Sequence, residues 1–200
     1  MSVTLPTHNW DFLITGAANS THSDSISNST ATYGSNVTSD ATNGATVDTD
    51  NITLPSIAFS SSYSFEFYIR LNSNQNYAGI FTFEQASNNL IYADMFGTNQ
   101  KIRYVMKPGG SSAFASHGQG THDGTLMTTD GTTYHHIVCT FNNSTGEANY
   151  YQDNTAVWTQ TGISVDESNF PITSSNDSKL GNDGNGCNFN MKYFRIWTNY

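Results

Sequence analysis

At 200 residues the chain is long enough to bury one full core, and all-β sandwiches of this size are routinely single domains. Seven Lys and Arg against sixteen Asp and Glu give a formal net charge of −9, which excludes a nucleic-acid binder built on a basic stripe and opposes an anionic membrane surface. A neutral glycan, a protein or a bound cation suits such a surface; an anionic polysaccharide suits it less well unless calcium bridges the two.

Charged residues make up 12% of the chain, about half the usual quarter. Asn, Ser, Thr and Gly supply the polarity instead, and they favour turns and strand surfaces over helix interiors. No run of 18 apolar residues occurs, so no helix spans a membrane. The opening Met1-Ser2-Val3-Thr4-Leu5-Pro6 has neither a basic region nor an apolar one and does not read as a signal peptide.

In chain order, Asn9-Trp10-Asp11-Phe12-Leu13 alternates and is predicted as a first strand, with Trp10 and Phe12 on one face. Residues 15–50 read as short edge strands and loops, with Ala31-Thr32-Tyr33 and Ala45-Thr46-Val47 as the apolar recurrences. Asn51-Ile52-Thr53-Leu54 follows and ends at Pro55. Residues 63–70 form the clearest strand: Phe65, Phe67 and Ile69 fall on one face, and Ser64, Glu66, Tyr68 and Arg70 on the other. Further strands are predicted at 78–83, 89–95 and 101–106, the last stopped by Pro108-Gly109-Gly110. Residues 109–133 read as a long polar loop with one short strand, Ser112-Ala113-Phe114.

Residues 134–158 form a three-strand meander. An Asn/Ser/Gly turn joins 134–141 to 147–152, and Asp153-Asn154, which tolerate positive φ, lead into Thr155-Ala156-Val157-Trp158. Asn169-Phe170-Pro171-Ile172, Lys179-Leu180-Gly181, a glycine-rich loop over 182–190 and a closing strand at 191–197 complete the chain. No helical period survives, and about a dozen short strands predict an all-β fold of two antiparallel sheets packed face to face. Cys139 sits mid-strand among apolar neighbours and reads as a buried free thiol, with a disulfide to Cys187 as the alternative.

Several of these stretches together resemble the laminin-G-like, concanavalin-A-like jelly-roll family. They are Asn9-Trp10-Asp11-Phe12; Asp50-Asn51-Ile52-Thr53-Leu54 followed by Phe65-Glu66-Phe67-Tyr68-Ile69-Arg70; and Ile80-Phe81-Thr82-Phe83. His135-His136-Ile137-Val138, Tyr151-Gln152-Asp153-Asn154, and Leu180-Gly181 with Tyr193-Phe194-Arg195-Ile196-Trp197 continue the match over roughly residues 9–198. The resemblance implies one β-sandwich over 1–200 and a repertoire of glycan binding, cell adhesion and surface display. Some members bind calcium at a sandwich rim, and hydrolases and lyases share the scaffold, so the site decides the function.

Glycoside hydrolysis needs two carboxylates across the scissile bond, and Glu66 has no second acid two or four positions away. If the chain is an enzyme, Glu66, Tyr68 and Arg70, with a histidine or Lys192, are the groups a polysaccharide lyase would use; the bland alternative is a hydrated or ligand-contacting sheet surface. His135 and His136 are adjacent and point to opposite faces, so they cannot chelate one metal together. His117, His122 and Asp123 read as a solvated loop, with a shared transition metal as the alternative.

For a bound sugar, aromatic faces and amide or carboxylate oxygens are the expected contacts, with Glu66, Tyr68, Tyr77, Asp94, Phe96 and Asn188 as the candidates. For calcium, the oxygen-rich Asp183 and Asn185 with Asp50 are the candidate ligands.

The reading is a non-catalytic carbohydrate-binding or adhesion module on a virion or cell surface, whose partner is a glycan or glycoprotein. A capsid or fibre component contacting other particle proteins, and a cell-wall lyase or hydrolase, are the alternatives. No nucleic acid and no membrane insertion are expected.

Overall fold

The computed structural model describes residues 10–13, 21–23, 28–59, 62–73, 77–85, 89–96, 101–107, 127–165, 177–181 and 188–198. They form fifteen strands: β1 Trp10–Leu13, β2 Thr21–Ser23, β3 Thr30–Tyr33, β4 Thr38–Asp40, β5 Gly44–Asp48, β6 Asn51–Thr53, β7 Tyr63–Leu71, β8 Gly79–Gln85, β9 Asn89–Phe96, β10 Lys101–Lys107, β11 His135–Asn142, β12 Glu147–Gln152, β13 Thr155–Gln160, β14 Asp177–Gly181 and β15 Asn188–Trp197. The expected pieces Ser112-Ala113-Phe114 and Asn169-Phe170-Pro171-Ile172 lie outside the described residues.

Two antiparallel sheets make the sandwich. The first runs β13-β12-β11-β7-β15-β5-β4, with β1 also on β15; the second runs β10-β9-β8-β14-β6-β3-β2. Neighbours that are distant in sequence, such as β7 beside β15, make this a long-range topology of the jelly-roll kind. Among the described residues no helix is long and apolar enough to cross a membrane.

β7 is the spine of the first sheet. Its alternation sends Tyr63, Phe65, Phe67, Ile69 and Leu71 into the interior, each at most 2% exposed, and leaves Glu66, Tyr68 and Arg70 on the outer face. The core between the sheets is aromatic. Phe65 stacks on Phe83 of β8 at 5.5 Å, and Phe194 of β15 packs on Phe67 at 5.8 Å and on Phe81 at 5.4 Å. Each such ring contributes about 1.5–3 kcal/mol on burial. The Cys139 thiol is free and buried among them, and desolvation raises its pKa well above the ordinary thiol value.

The meander forms as expected: β11 pairs with β12, and β12 with β13. Asp153 (φ 51°) and Asn154 (φ 64°) make the two-residue link between β12 and β13, both in the left-handed region that suits a hairpin's twist.

A feature the alternation does not announce lies in β15. The register slips between Met191 and Tyr193, so Lys192 is one residue too many. Before it, Phe189 and Met191 face the core; after it, Phe194 and Ile196 do. The bulge thereby turns Tyr193 and Arg195 outward beside Tyr68 and Glu66. Gly44 makes room for it: at φ +73° a Cβ there would stand 2.2 Å from the Met191 carbonyl oxygen. β15 also changes partner at this point, pairing with β5 over residues 188–191 and with β1 over 193–196.

Candidate functional site

The expected sugar-contacting residues divide between the two outer faces of the sandwich. Glu66, Tyr68 and Asn188 lie on the first sheet, and Tyr77 and Asp94 on the second. Phe96 closes β9, with its side chain outside the described set.

On the first sheet, cross-strand register brings charged groups around Glu66. Its Oε1 lies 2.9 Å from His136 Nε2 and accepts from the Tyr193 hydroxyl at 3.3 Å. Its Oε2 accepts from Arg195 Nη1 at 3.5 Å, and Arg195 Nε donates to Asp11 Oδ2 at 3.2 Å. Burial raises the Glu66 pKa, but the His136 hydrogen bond and the Arg195 charge outweigh it and leave the carboxyl below its ordinary value. The Tyr193 phenol moves the other way, raised by desolvation and then by the Glu66 charge. A phenol made harder to ionise is a poorer general base.

Next to this cluster Tyr134, Tyr68 and Tyr193 stack on one another, with centroids 5.0 and 6.0 Å apart. Cations of the chain itself stand by these rings: Lys192 lies 4.5 Å and Arg70 5.1 Å from the Tyr134 centroid, and Arg195 4.4 Å from that of Tyr193. Arg70 Nη2 donates to Asn190 Oδ1 at 2.7 Å, and Asn72 Nδ2 donates to Asn188 Oδ1 at 2.8 Å. Rings and amides here are engaged largely with each other, while Arg70 Nε and Ser64 Oγ are buried without a hydrogen-bond partner among the described residues. His135, on the opposite face of β11, is buried with Nδ1 2.8 Å from Asp153 Oδ2. The two histidines are split as strand alternation requires.

The second sheet is different in kind. Its outer face holds a groove of about 460 Å³ lined from β8, β9, β10, β14 and Tyr77, within the ordinary range of small-ligand sites. At its base Asp94 and Arg103, directly opposite each other on β9 and β10, form a two-pronged ion pair. Arg103 Nε donates to Asp94 Oδ1 at 2.8 Å, and Nη2 to Oδ2. Burial pushes the Asp94 carboxyl above its ordinary value despite this partner. The same pair raises the Arg103 guanidinium above its ordinary value, so desolvation of the carboxyl is offset on its partner and the fork locks the guanidinium in place.

The Arg103 guanidinium lies 5.5 Å from the ring centroids of both Tyr77 and Tyr92. Tyr77 is 44% exposed, the one large hydrophobic side chain exposed among the described residues. Its backbone is left-handed, φ 60°, a conformation that costs a non-glycine residue about 1–2 kcal/mol. Two hydrogen bonds hold it there: Tyr77 N to Met95 O at 2.7 Å and Met95 N to Ala78 O at 2.8 Å. Lys107 stands 5.6 Å from the Tyr92 centroid, and Lys179 Nζ sits 2.8 Å from Asp177 Oδ2. Tyr92, Arg103, Lys107 and Lys179 were not among the sequence candidates. The signal for two of them was the period-two placement of Arg103 and Lys107 on a strand whose other face is apolar.

Of the candidate calcium ligands, Asp183 and Asn185 lie outside the described residues. Asp50 caps a turn, accepting from Asn51 N at 2.8 Å and from Asn36 N at 2.9 Å. Among the described residues no three His, Cys, Asp or Glu side chains are grouped to hold a metal.

Comparison with solved structures finds domain 4 of AbnA, an extracellular arabinanase from Geobacillus stearothermophilus in complex with arabinotriose. It has a TM-score of 0.62 and 18% identity, covering 88% of this chain and 86% of that one. The binding domain of botulinum neurotoxin serotype D gives a TM-score of 0.65 at 13% identity, over 96% of this chain and 48% of that one. Trypanosoma rangeli sialidase gives 0.63 at 12%, over 96% of this chain and 31% of that one. At these identities the likeness is one of fold. No curated protein matches in sequence. The family model described as the concanavalin A-like lectin/glucanases superfamily matches residues 43–199, and with its strands laid out as a two-sheet jelly roll, the chain belongs to that superfamily.

Proposed function

We propose that this chain is a non-catalytic carbohydrate-binding module, displayed on a cell or virion surface, that seats a glycan in the groove of the second sheet. The observation that carries the reading is Tyr77: an exposed ring on a left-handed backbone, stacked over a guanidinium that is itself tied to Asp94. Backbone conformations of this cost persist where the surroundings hold them, and they gather at binding sites. A ring fixed in this way stacks on a sugar with little further loss of freedom. Around it Glu84, Asp177 and Thr82 offer oxygen acceptors for hydroxyls. Membership of a superfamily of lectins and glucanases supports the reading, as does the likeness to a domain solved with arabinotriose.

A glycan array probed with and without calcium tests it. Binding is expected, reduced at least tenfold in Tyr77→Ala and retained in Tyr77→Phe. No glycan bound in either condition overturns the proposal; a calcium requirement would bring in the site proposed at Asp183, Asn185 and Asp50.

A further inference from the structure

Resting on the carbohydrate reading above, we infer that the groove takes an acidic sugar, with the Lys107 ammonium as the seat of its carboxylate. The chain has only seven Lys and Arg, and Arg103, Lys107 and Lys179 all line this groove. They are not equivalent. Arg103 is forked onto Asp94, and Lys179 is paired with Asp177. Lys107 makes no ion pair among the described residues; its contact is the Tyr92 ring at 5.6 Å. Asp94, the carboxylate whose charge it feels, has both oxygens engaged by Arg103. A ring face leaves an ammonium's three donors unfilled, and a ligand carboxylate would fill them with charge-assisted hydrogen bonds.

The opposite wall sharpens the class of ligand. Lys107 and Glu84 both stand in register with Leu90, on its two sides, so their strands are two inter-strand spacings apart, roughly 10 Å. A cation with no anion among the described residues thus faces a carboxylate across a span that one or two sugar residues bridge. A uronic or sialic acid unit carries a carboxylate for the first and hydroxyl donors for the second. A neutral sugar leaves Lys107 unfilled, and a densely sulfated chain sets anions against Glu84. The net charge of −9 acts at long range and is screened beyond about 8 Å at physiological ionic strength. It slows approach without emptying the seat.

Calorimetric titration of the whole chain with sialyllactose and with oligogalacturonate, each beside its carboxyl-reduced counterpart, in chelator, tests this. At least one acidic form should bind about tenfold more tightly than its reduced form, the worth of one charge-assisted contact. Lys107→Gln should bring the acidic form down to the affinity of its reduced counterpart and keep the unfolding midpoint; Lys107→Arg should restore the preference. Equal affinity for acidic and reduced forms overturns the acidic-sugar inference and leaves the carbohydrate reading standing. No binding of either kind, here and across the array, overturns both. A preference that survives Lys107→Gln overturns the assignment to Lys107.

Discussion

Tyr77→Gly separates a residue kept for binding from one kept for the fold. The native φ of 60° costs tyrosine about 1–2 kcal/mol, and glycine adopts it freely. Against that relief stand the ring's contact with Arg103 at 5.5 Å, about 0.5–1 kcal/mol at an exposed site, and the extra unfolded-chain entropy of glycine, about 0.5–1 kcal/mol. The terms offset, so Tyr77→Gly should unfold within about 1 kcal/mol of the parent while losing glycan affinity. Tyr77→Ala loses the same ring but keeps the strain, and should be less stable than the glycine variant by about 1 kcal/mol. With a urea m-value of about 2–3 kcal/mol/M, the two midpoints should differ by roughly 0.3–0.5 M. Equilibrium urea unfolding followed by tryptophan fluorescence measures this, alongside titration with a glycan from the array. An alanine variant as stable as the glycine one would refute the strain argument. A glycine variant binding within twofold of the parent would refute the role of the ring.

Gly44→Ala must move the Met191 carbonyl, 2.2 Å from the new Cβ, and should cost about 2–4 kcal/mol, seen as a lower thermal midpoint; an unchanged midpoint would mean the bulge does not depend on that close approach. Phe194→Ala removes a ring with no solvent exposure from the centre of the aromatic core and should cost about 3–5 kcal/mol in chemical denaturation. The Glu66 carboxyl is held below its ordinary value by His136 and Arg195 against the pull of burial. Its contribution is therefore present above the ordinary carboxylate range and lost as pH falls through that range toward the lowered folded value. Glu66→Gln should flatten the acid limb of the stability–pH curve as pH falls through and below the ordinary carboxylate range, and parallel curves for the two proteins would contradict this.

Much of the fold was legible because it is written in two-residue periods. Residues 63–70 alternate so cleanly that the inward and outward faces of β7 could be assigned, and Asp153-Asn154 announced their own hairpin. The slip at Lys192 could not be read, because Met191-Lys192-Tyr193-Phe194-Arg195-Ile196 has apolar residues in both phases and only the packing partners select one. The site was harder for a related reason. Alternation tells which side of a strand a residue takes, but not which strand lies alongside. Glu66 and Asp94 could be singled out as polar groups on strands, yet only the sheet order shows that they occupy opposite outer faces. It also shows that Arg103 stands across from Asp94. The left-handed backbone of Tyr77 left no mark on its neighbours in sequence, since it is held by Met95 on another strand.

The pairing of β1 with the last turns of β15 bears on how the molecule would respond to a pull. Trp10 is opposite Ile196 and Leu13 opposite Tyr193, so the leading end of the first strand and the trailing end of the last lie at the same end of one antiparallel ladder. Tension applied through the two chain ends would load that ladder rung by rung, as a zipper, starting at Trp10 and Ile196. The ladder between β7 and β15 would still be intact when the Asp11–Arg195 contact parted. A chain loaded in this way would yield first by peeling β1, with both the Glu66 cluster's remaining partners and the groove on the far sheet still in place.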